Sequence, residues 1–308
     1  MKCAGIDEAG YGPTLGPLCV VAVQVAGAIP AELPAAFAAT GVRDSKRVHR
    51  PGDLAPLEAV CLPALAWLNG SHPATAAALF ARFGEPLPDL VLTPWLAGAP
   101  CLALPVAATT LPSWDLASLT PVAAAGRIIH PPAYNQALAG GLNKAELELS
   151  LVRGLLAGLA RDQASATVVD RLGGRRYYRE LVQAAWPDDL VLIEEEAEAA
   201  SRYLCQRGAH EHRVSFLVDG ESQSPLTALA SCLAKYTREL HMLLLNRWFC
   251  ARHPGLRPTA GYPEDAKRWL RELGAEERAA FAAQLIRVER TAAGRAPPVS
   301  DSPPPAGG

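Results

Sequence analysis

The chain has 308 residues, half of them hydrophobic, enough to bury one large core or two modest ones. Its 29 basic and 31 acidic residues leave a net charge of −2, which excludes a global basic field, so any nucleic-acid contact must rest on local patches. The seven cysteines are scattered, odd in number and never spaced as CxxC, which argues against a zinc site and a disulfide framework. No charged-then-apolar leader pattern opens the chain, and no apolar run is long and unbroken enough to span a bilayer. A cytoplasmic protein without a membrane partner is expected.

The chain opens with MKCAGIDEAGYGPTLG. Met1 to Ile6 predict a short buried strand ending in two adjacent acids, Asp7 and Glu8, before a glycine-rich turn at Gly10, Gly12 and Gly16. Two carboxylates at a buried strand end are costly unless their charge is matched, and a divalent cation is the usual partner. Leu18 to Val25 is a β-branched run that predicts a second strand, antiparallel to the first. Residues 30–40 are alanine-rich and read as helical. The polar loop VRDSKRVHR follows, with Arg43, Lys46, Arg47, His49 and Arg50 close together.

Residues 51–128 are the least legible, with short strands expected near Cys61–Trp67 and Cys101–Ala107. Asn143 and Glu146 predict a capping box opening a helix whose apolar face carries Val152, Leu155, Leu156 and Leu159. Ala166 to Asp170 predicts a buried strand ending in an acid. A basic loop then holds Arg171, Arg175, Arg176 and Arg179, and RRYYRELVQAAW reads as a helix. Strands are expected to begin at Val191 and to cover Arg213 to Val218, the latter running into Asp219–Gly220–Glu221. Ser224–Pro225 opens a helix to about Cys250. Two helices follow, from Tyr262–Pro263 to near Gly274 and from about Glu276 to Arg290. Residues 294–308 are expected to be disordered.

Three places therefore put acids at the end of an apolar strand: Asp7–Glu8, Asp170 and the Asp219–Glu221 group. Mg²⁺ takes hard oxygen ligands, and two such ions about 3.5–4 Å apart serve phosphodiester hydrolysis.

These acids lie within a set of motifs that resembles the type 2 ribonucleases H (ribonuclease HII). The strings are GIDEAGYG, close to that family's GIDEAGRG; Asp44–Ser45–Lys46, as in its DSK loop; VVD at Asp170; LASCLAKYTRE from Leu229 to Glu239; and Gly261–Tyr262–Pro263. They cover roughly the first 50 residues and then 135–275, leaving 51–130 as an enlarged insertion. The resemblance implies an α/β fold, a ribonuclease H-like mixed sheet with flanking helices and a C-terminal helical region. The expected division of the chain is a catalytic domain over 1–250, a helical extension over 251–293 packed on it and a disordered tail over 294–308. The resemblance implies a two-ion Mg²⁺ or Mn²⁺ site on Asp7, Glu8, Asp170 and Glu221. Asp219 is the rival for the fourth place, and Glu221 stands where the family usually has Asp.

Substrate contacts are implied at Gly10, Tyr11, Gly12, Lys46, Arg175, Lys235 and Tyr262. The implied activity is that of a monomeric endonuclease cutting the RNA strand of RNA–DNA hybrids by in-line attack of water, leaving 5′-phosphate and 3′-hydroxyl ends. The alternatives are a catalytically weak nucleic-acid-binding relative and a same-fold nuclease acting on another nucleic-acid structure. Tyr11 stands where the family has a basic residue between the glycines. The turn itself therefore lacks that charge, and continuous hybrid is expected to be preferred over a single embedded ribonucleotide.

Overall fold

A computed structural model describes residues 1–84 and 93–288. Seven strands make one mixed sheet: β1 (Lys2–Ala9), β2 (Leu18–Ala26), β3 (Thr120–Ile129), β4 (Ser165–Asp170), β5 (Leu190–Glu196), β6 (Ala200–Arg207) and β7 (His210–Leu217). Their order across the sheet is β3–β2–β1–β4–β7–β6–β5. β1 pairs antiparallel with β2, as expected, and parallel with β4, which in turn is parallel to β7. These central strands are buried on both faces, which is why β1 and β2 read as nearly continuous apolar runs rather than alternating ones.

Before β3 come α1 (Leu33–Phe37), α2 (Ser45–Val48), α3 (Ala55–Asn69) and α4 (Ala76–Arg82). Between β3 and β5 lie α5 (Pro131–Ala139), α6 (Lys144–Ala157) and α7 (Arg179–Ala185). After β7 come α8 (Gly220–Gln223), α9 (Pro225–Arg252), α10 (Pro263–Leu273) and α11 (Ala275–Leu285). The sheet separates two cores. On one face α9 packs with α3 and α4, burying Leu229, Leu233, Leu57 and Phe80 against Val21 and Val23. On the other face α6 and α7 bury Val152, Leu156, Tyr178 and Val182 against Ile6, Val20 and Phe216. The result is the mixed α/β sheet with flanking helices and a C-terminal helical region that the sequence leads one to expect.

The long helix α9 starts where predicted. The Ser224 hydroxyl accepts the Thr227 amide at 3.3 Å, and Pro225 occupies the first turn. Its first turn lies directly on β1: a Cβ on Gly5 would come within 2.2 Å of Leu226 C and Thr227 N. Only glycine permits that approach, and it brings the acidic segment before α9 down onto the strand that carries Asp7.

Residues Cys61–Trp67, expected as a strand, lie inside α3. Cys101–Ala107 is not a strand either. The amides of Val106, Ala107 and Ala108 all donate to the carboxylate of fully buried Glu58 at 2.5–2.8 Å, and so have no neighbouring strand to serve. The Tyr236 hydroxyl donates to the same carboxylate at 3.1 Å. Neither alanine-rich β3 nor β6, with its interspersed polar residues, gave a strand signal. In the RRYYRELVQAAW stretch the helix begins only at Arg179, because the preceding residues are spent on the loop: the Tyr178 amide donates to the Tyr203 hydroxyl, and Tyr178 Oη donates to the Arg175 carbonyl. The last helix stops at Leu285, where Ile286 turns to bridge Leu15. The tail expected to be disordered, 294–308, lies outside the described residues.

The C-terminal helices are tied to the body through Trp269, fully buried with its ring 5.1 Å from that of Phe249. All seven cysteines are free. No helix among the described residues is long and apolar enough to cross a membrane.

Candidate active site

Sheet register decides where the acids go. Ile6 pairs with Val169 in the parallel β1–β4 ladder, so one residue further Asp7 and Asp170 stand side by side on neighbouring strands, spaced at about 4.8 Å. β4 in turn pairs Asp170 with Leu217 of β7. Beyond Leu217 the chain reverses through Asp219, the one non-glycine residue with positive φ (52°) among those described, and enters α8, which carries Glu221. Period-2 alternation sends Asp7 to the α9 face and Glu8 to the opposite one. The acids therefore surround the strand ends instead of lying in one plane.

Each of three carboxylates has one oxygen tied down by a backbone amide. Glu8 N donates to Asp7 Oδ1 at 2.7 Å, Gly220 N to Asp170 Oδ1 at 2.7 Å, and Ser45 N to Glu221 Oε2 at 2.7 Å. The other oxygen of Asp7 is buried with no hydrogen-bond partner. Burial, followed by the charges of Glu8, Asp170 and Glu221, pushes the Asp7 carboxyl well above the usual carboxylate range. Burial is also the main cause that raises Asp170 to about 6, with Glu8 and Glu221 adding to it against the Gly220 amide and Lys46. An oxygen-only donor set, mutually repelling and carrying an orphaned buried oxygen, fits a hard divalent cation. As they stand, no three acids, histidines or cysteines among the described residues close on a single point tightly enough to grip an ion.

A groove of about 940 Å³ runs over this acidic end. Asp7, Glu8, Asp170 and Glu221 line it, together with Gly10, Tyr11, Gly12, Lys46, Lys235 and Tyr262. Asp219 is exposed and does not line it. Arg175 is also outside the groove. It is exposed on the loop after β4, where its carbonyl accepts from Arg171 Nε at 2.7 Å.

The DSK loop docks where the acids are. Asp44 caps α2 through the Lys46 amide at 2.8 Å, while Lys235 Nζ and Ser231 Oγ reach Ser45 Oγ at 3.3 and 3.1 Å. The glycine turn is locked to the far end of the chain. The amides of Thr14 and Leu15 donate to the Gly261 carbonyl at 2.8 and 3.1 Å, which seats Tyr262 beside Gly12.

Residues 4–52 match the family model for Ribonuclease HII, a span that holds the Asp7–Glu8 strand, the glycine turn and the DSK loop. The chain is a divergent relative of ribonuclease HII. A search of curated proteins found no match. Among solved structures, ribonuclease H2 from Pyrococcus horikoshii OT3 is 17% identical, over 88% of this chain and 86% of that one, with a TM-score of 0.46. RNase HII in its PCNA complex from Archaeoglobus fulgidus is 15% identical, over 98% and 100%, with a TM-score of 0.44. Bst-RNase HIII in complex with Mn²⁺ is 18% identical, over 94% and 66%, with a TM-score of 0.45.

Several residues of this ribonuclease HII relative escaped the reading of its sequence. Glu148, on α6, is 2% exposed, and burial, then Glu8 and Asp170 acting against Lys144, pushes it to about 8. It is a fifth acid, buried but near enough to Glu8 and Asp170 to feel their charge. Its signal was present: it lies four residues before Val152, on the apolar face of the helix, and a buried charge is more informative than a buried leucine. Arg238 and Arg287, both nearly buried, support the glycine turn from below. Arg238 Nη2 donates to the carbonyls of Leu15 (3.2 Å) and Ala260 (2.9 Å). Arg287 donates to those of Gly10 (2.6 Å) and Pro13. Arg287 had no local signal, because its role depends on a contact across 277 residues of sequence.

Proposed function

We propose that this chain is a metal-dependent endonuclease of the ribonuclease H type that hydrolyses the RNA strand of RNA–DNA hybrids. The observation that carries this reading is the set of backbone-tethered carboxylates at three adjacent strand ends, one of them with a buried oxygen lacking any protein donor. Asp7, Glu8, Asp170 and Glu221 would hold two Mg²⁺ or Mn²⁺ ions. Bound there, the ions supply Lewis acidity toward a phosphodiester and lower the pKa of water.

The chain's own groups do the rest. The backbone amides tie down one oxygen each of Asp7, Asp170 and Glu221, so the remaining oxygens are oriented before anything binds. Lys46 and Lys235 place positive charge beside the acids, where a phosphate backbone must pass. Gly10 and Gly12 let the turn approach a ribose 2′-hydroxyl, the group that separates RNA from DNA. Exposed Tyr262, over which Arg238 sits at 5.8 Å, offers a face for a sugar or base.

The test is a cleavage assay with continuous hybrid, a duplex carrying one ribonucleotide, duplex DNA and single strands, with Mg²⁺ or Mn²⁺. Hybrid is expected to be cut and duplex DNA left intact. Asp7→Asn should lower cleavage by more than about a hundredfold, beyond the range typical of residues that only support a metal ligand. Its fold should persist, and without metal its stability should hold or rise as repulsion among the acids is relieved. Full cleavage by Asp7→Asn would exclude the mechanism. Tight hybrid binding without cleavage by the wild type would favour a binding-only relative instead.

A further inference from the structure

A polyanion lying in this groove meets Asp7, Glu8, Asp170 and Glu221, and needs cations on both walls to stay there. Lys46 and Lys235 stand on the α2–α9 wall. The opposite wall is the glycine turn, and residues 9–17 contain no basic side chain. Arg287 lies beneath the turn and Arg238 borders the groove, but both are nearly buried and their guanidinium groups are engaged with carbonyls of the turn and its neighbours. One cation stands over the turn. Lys144, the first residue of α6, places its Nζ 4.0 Å from the centre of the Tyr11 ring, and Tyr11 lines the groove. The helix end carrying Lys144 is fixed by the Asn143–Glu146 capping box, with hydrogen bonds of 2.7 and 3.0 Å.

We propose that Lys144, seated on the face of Tyr11, is a substrate-binding residue that contacts a backbone phosphate of the nucleic acid at the glycine turn. The proposal rests on the nuclease reading above and deepens it. Tyr11 is the seat, since a ring face holds an ammonium in place without neutralising it. The ammonium is a compact charge on a flexible stem, suited to a phosphate oxygen. The turn, which from sequence alone lacks a cation, receives one from a helix more than a hundred residues downstream.

The experiment measures equilibrium binding of a labelled RNA–DNA hybrid across a salt series, without divalent metal, so that cleavage is not the readout. The proteins are full-length wild type, Lys144→Met, Lys144→Arg, Tyr11→Leu, the Tyr11→Leu/Lys144→Met double variant and Arg207→Met. The last removes an exposed cation at the opposite end of the strands and controls for net charge. Lys144→Met is expected to weaken binding on the order of tenfold at low salt and to lower the slope of log K against log salt by about 0.9, one phosphate contact. Lys144→Arg should restore most of both. Tyr11→Leu should reproduce part of the loss, and the double variant should be no worse than Lys144→Met. An unchanged slope in Lys144→Met, or an equal fall in Arg207→Met, would overturn the proposal. A wild type that binds no nucleic acid at all would sink the nuclease reading itself, whatever Lys144 does.

Discussion

Asp7, Asp170 and Glu221 are fixed by backbone. β1 and β4 set the first two side by side by register, and amides of Glu8, Gly220 and Ser45 hold one oxygen of each carboxylate. The glycine turn begins within three residues of Asp7, yet it is fixed by side chains from far along the chain: Arg238 from α9, Arg287 beyond α11, and the Gly261 segment. Strand ends give a rigid frame for groups that must hold a charge in one place. A turn held from below by guanidinium groups keeps its upper backbone facing the groove while its own carbonyls stay satisfied. The two regions should therefore fail separately, one through loss of chemistry and the other through loss of substrate.

The largest test of that separation removes Arg287. Arg287→Met keeps much of the stem but strips the donors from the Gly10 and Pro13 carbonyls. Hydrogen bonds to a charged group are worth about 1.5–3 kcal/mol, so a stability loss of about 2–4 kcal/mol is expected by denaturant titration. Mn²⁺ affinity, read by calorimetry, should stay within about twofold because the acids share no partner with Arg287. Hybrid affinity should fall on the order of tenfold. Arg287→Lys, which retains a donor, should lie between. Loss of metal binding with hybrid binding intact would dissolve the distinction between frame and turn.

A pH-dependent effect is expected at Glu148, where the frame meets burial. An acid raised from its ordinary value near 4.5 to about 8 holds its proton more tightly in the folded chain. Its burial therefore costs nothing below about pH 4.5, costs progressively more up to about pH 8, and stays constant above that, at about 1.4 kcal/mol per pK unit. Asp170, raised to about 6, has the same sign. The metal-free protein should lose stability as pH rises from 5 to 8. Glu148→Gln should flatten part of that slope, gaining stability at pH 8 and nothing at pH 5. Thermal unfolding in a chelator at the two pH values is the check, and a Glu148→Gln protein with the wild-type slope would place the titration elsewhere.

Much of the frame was legible in the sequence, because a strand ending in an acid announces both its burial and its anomaly. Asp7, Glu8 and Asp170 are read from strand-end patterns and Glu221 from the spacing that the ribonuclease HII resemblance implies, and all four line the groove. The Asn143 capping box and the Ser224–Pro225 helix start were equally legible, since both depend on neighbours a few residues away. What escaped depends on distant partners. Glu58 draws the 106–108 amides away from any strand, and an apolar run that looked like a strand near Cys61 sits in a helix packed on α9. Arg175 looked well placed beside Asp170 in sequence, but the loop folds back on Arg171 and Tyr178 and leaves it outside the groove. Lys144 and Arg287 reach the turn only once the sheet and helices have closed around it.

The smallest expected effect separates two acids two residues apart. Asp219 and Glu221 compete from sequence alone for the fourth ligand position. Glu221 is half-buried, lines the groove and contributes to the raised Asp7 and Asp170 carboxyls. Asp219 is exposed and occupies a left-handed conformation at φ 52°, which asparagine adopts as readily as aspartate. Asp219→Asn removes the charge and keeps the turn. Stability should move by no more than about 0.5 kcal/mol, as for an ordinary surface change, and hybrid cleavage at saturating Mg²⁺ should stay near that of wild type. Glu221→Gln should fall much further in the same assay, because it removes the carboxylate held by the Ser45 amide at the groove wall. If Asp219→Asn loses cleavage while Glu221→Gln keeps it, the reversal after β7 must rearrange when metal binds, and the fourth ligand would belong to the turn instead of the helix that follows it.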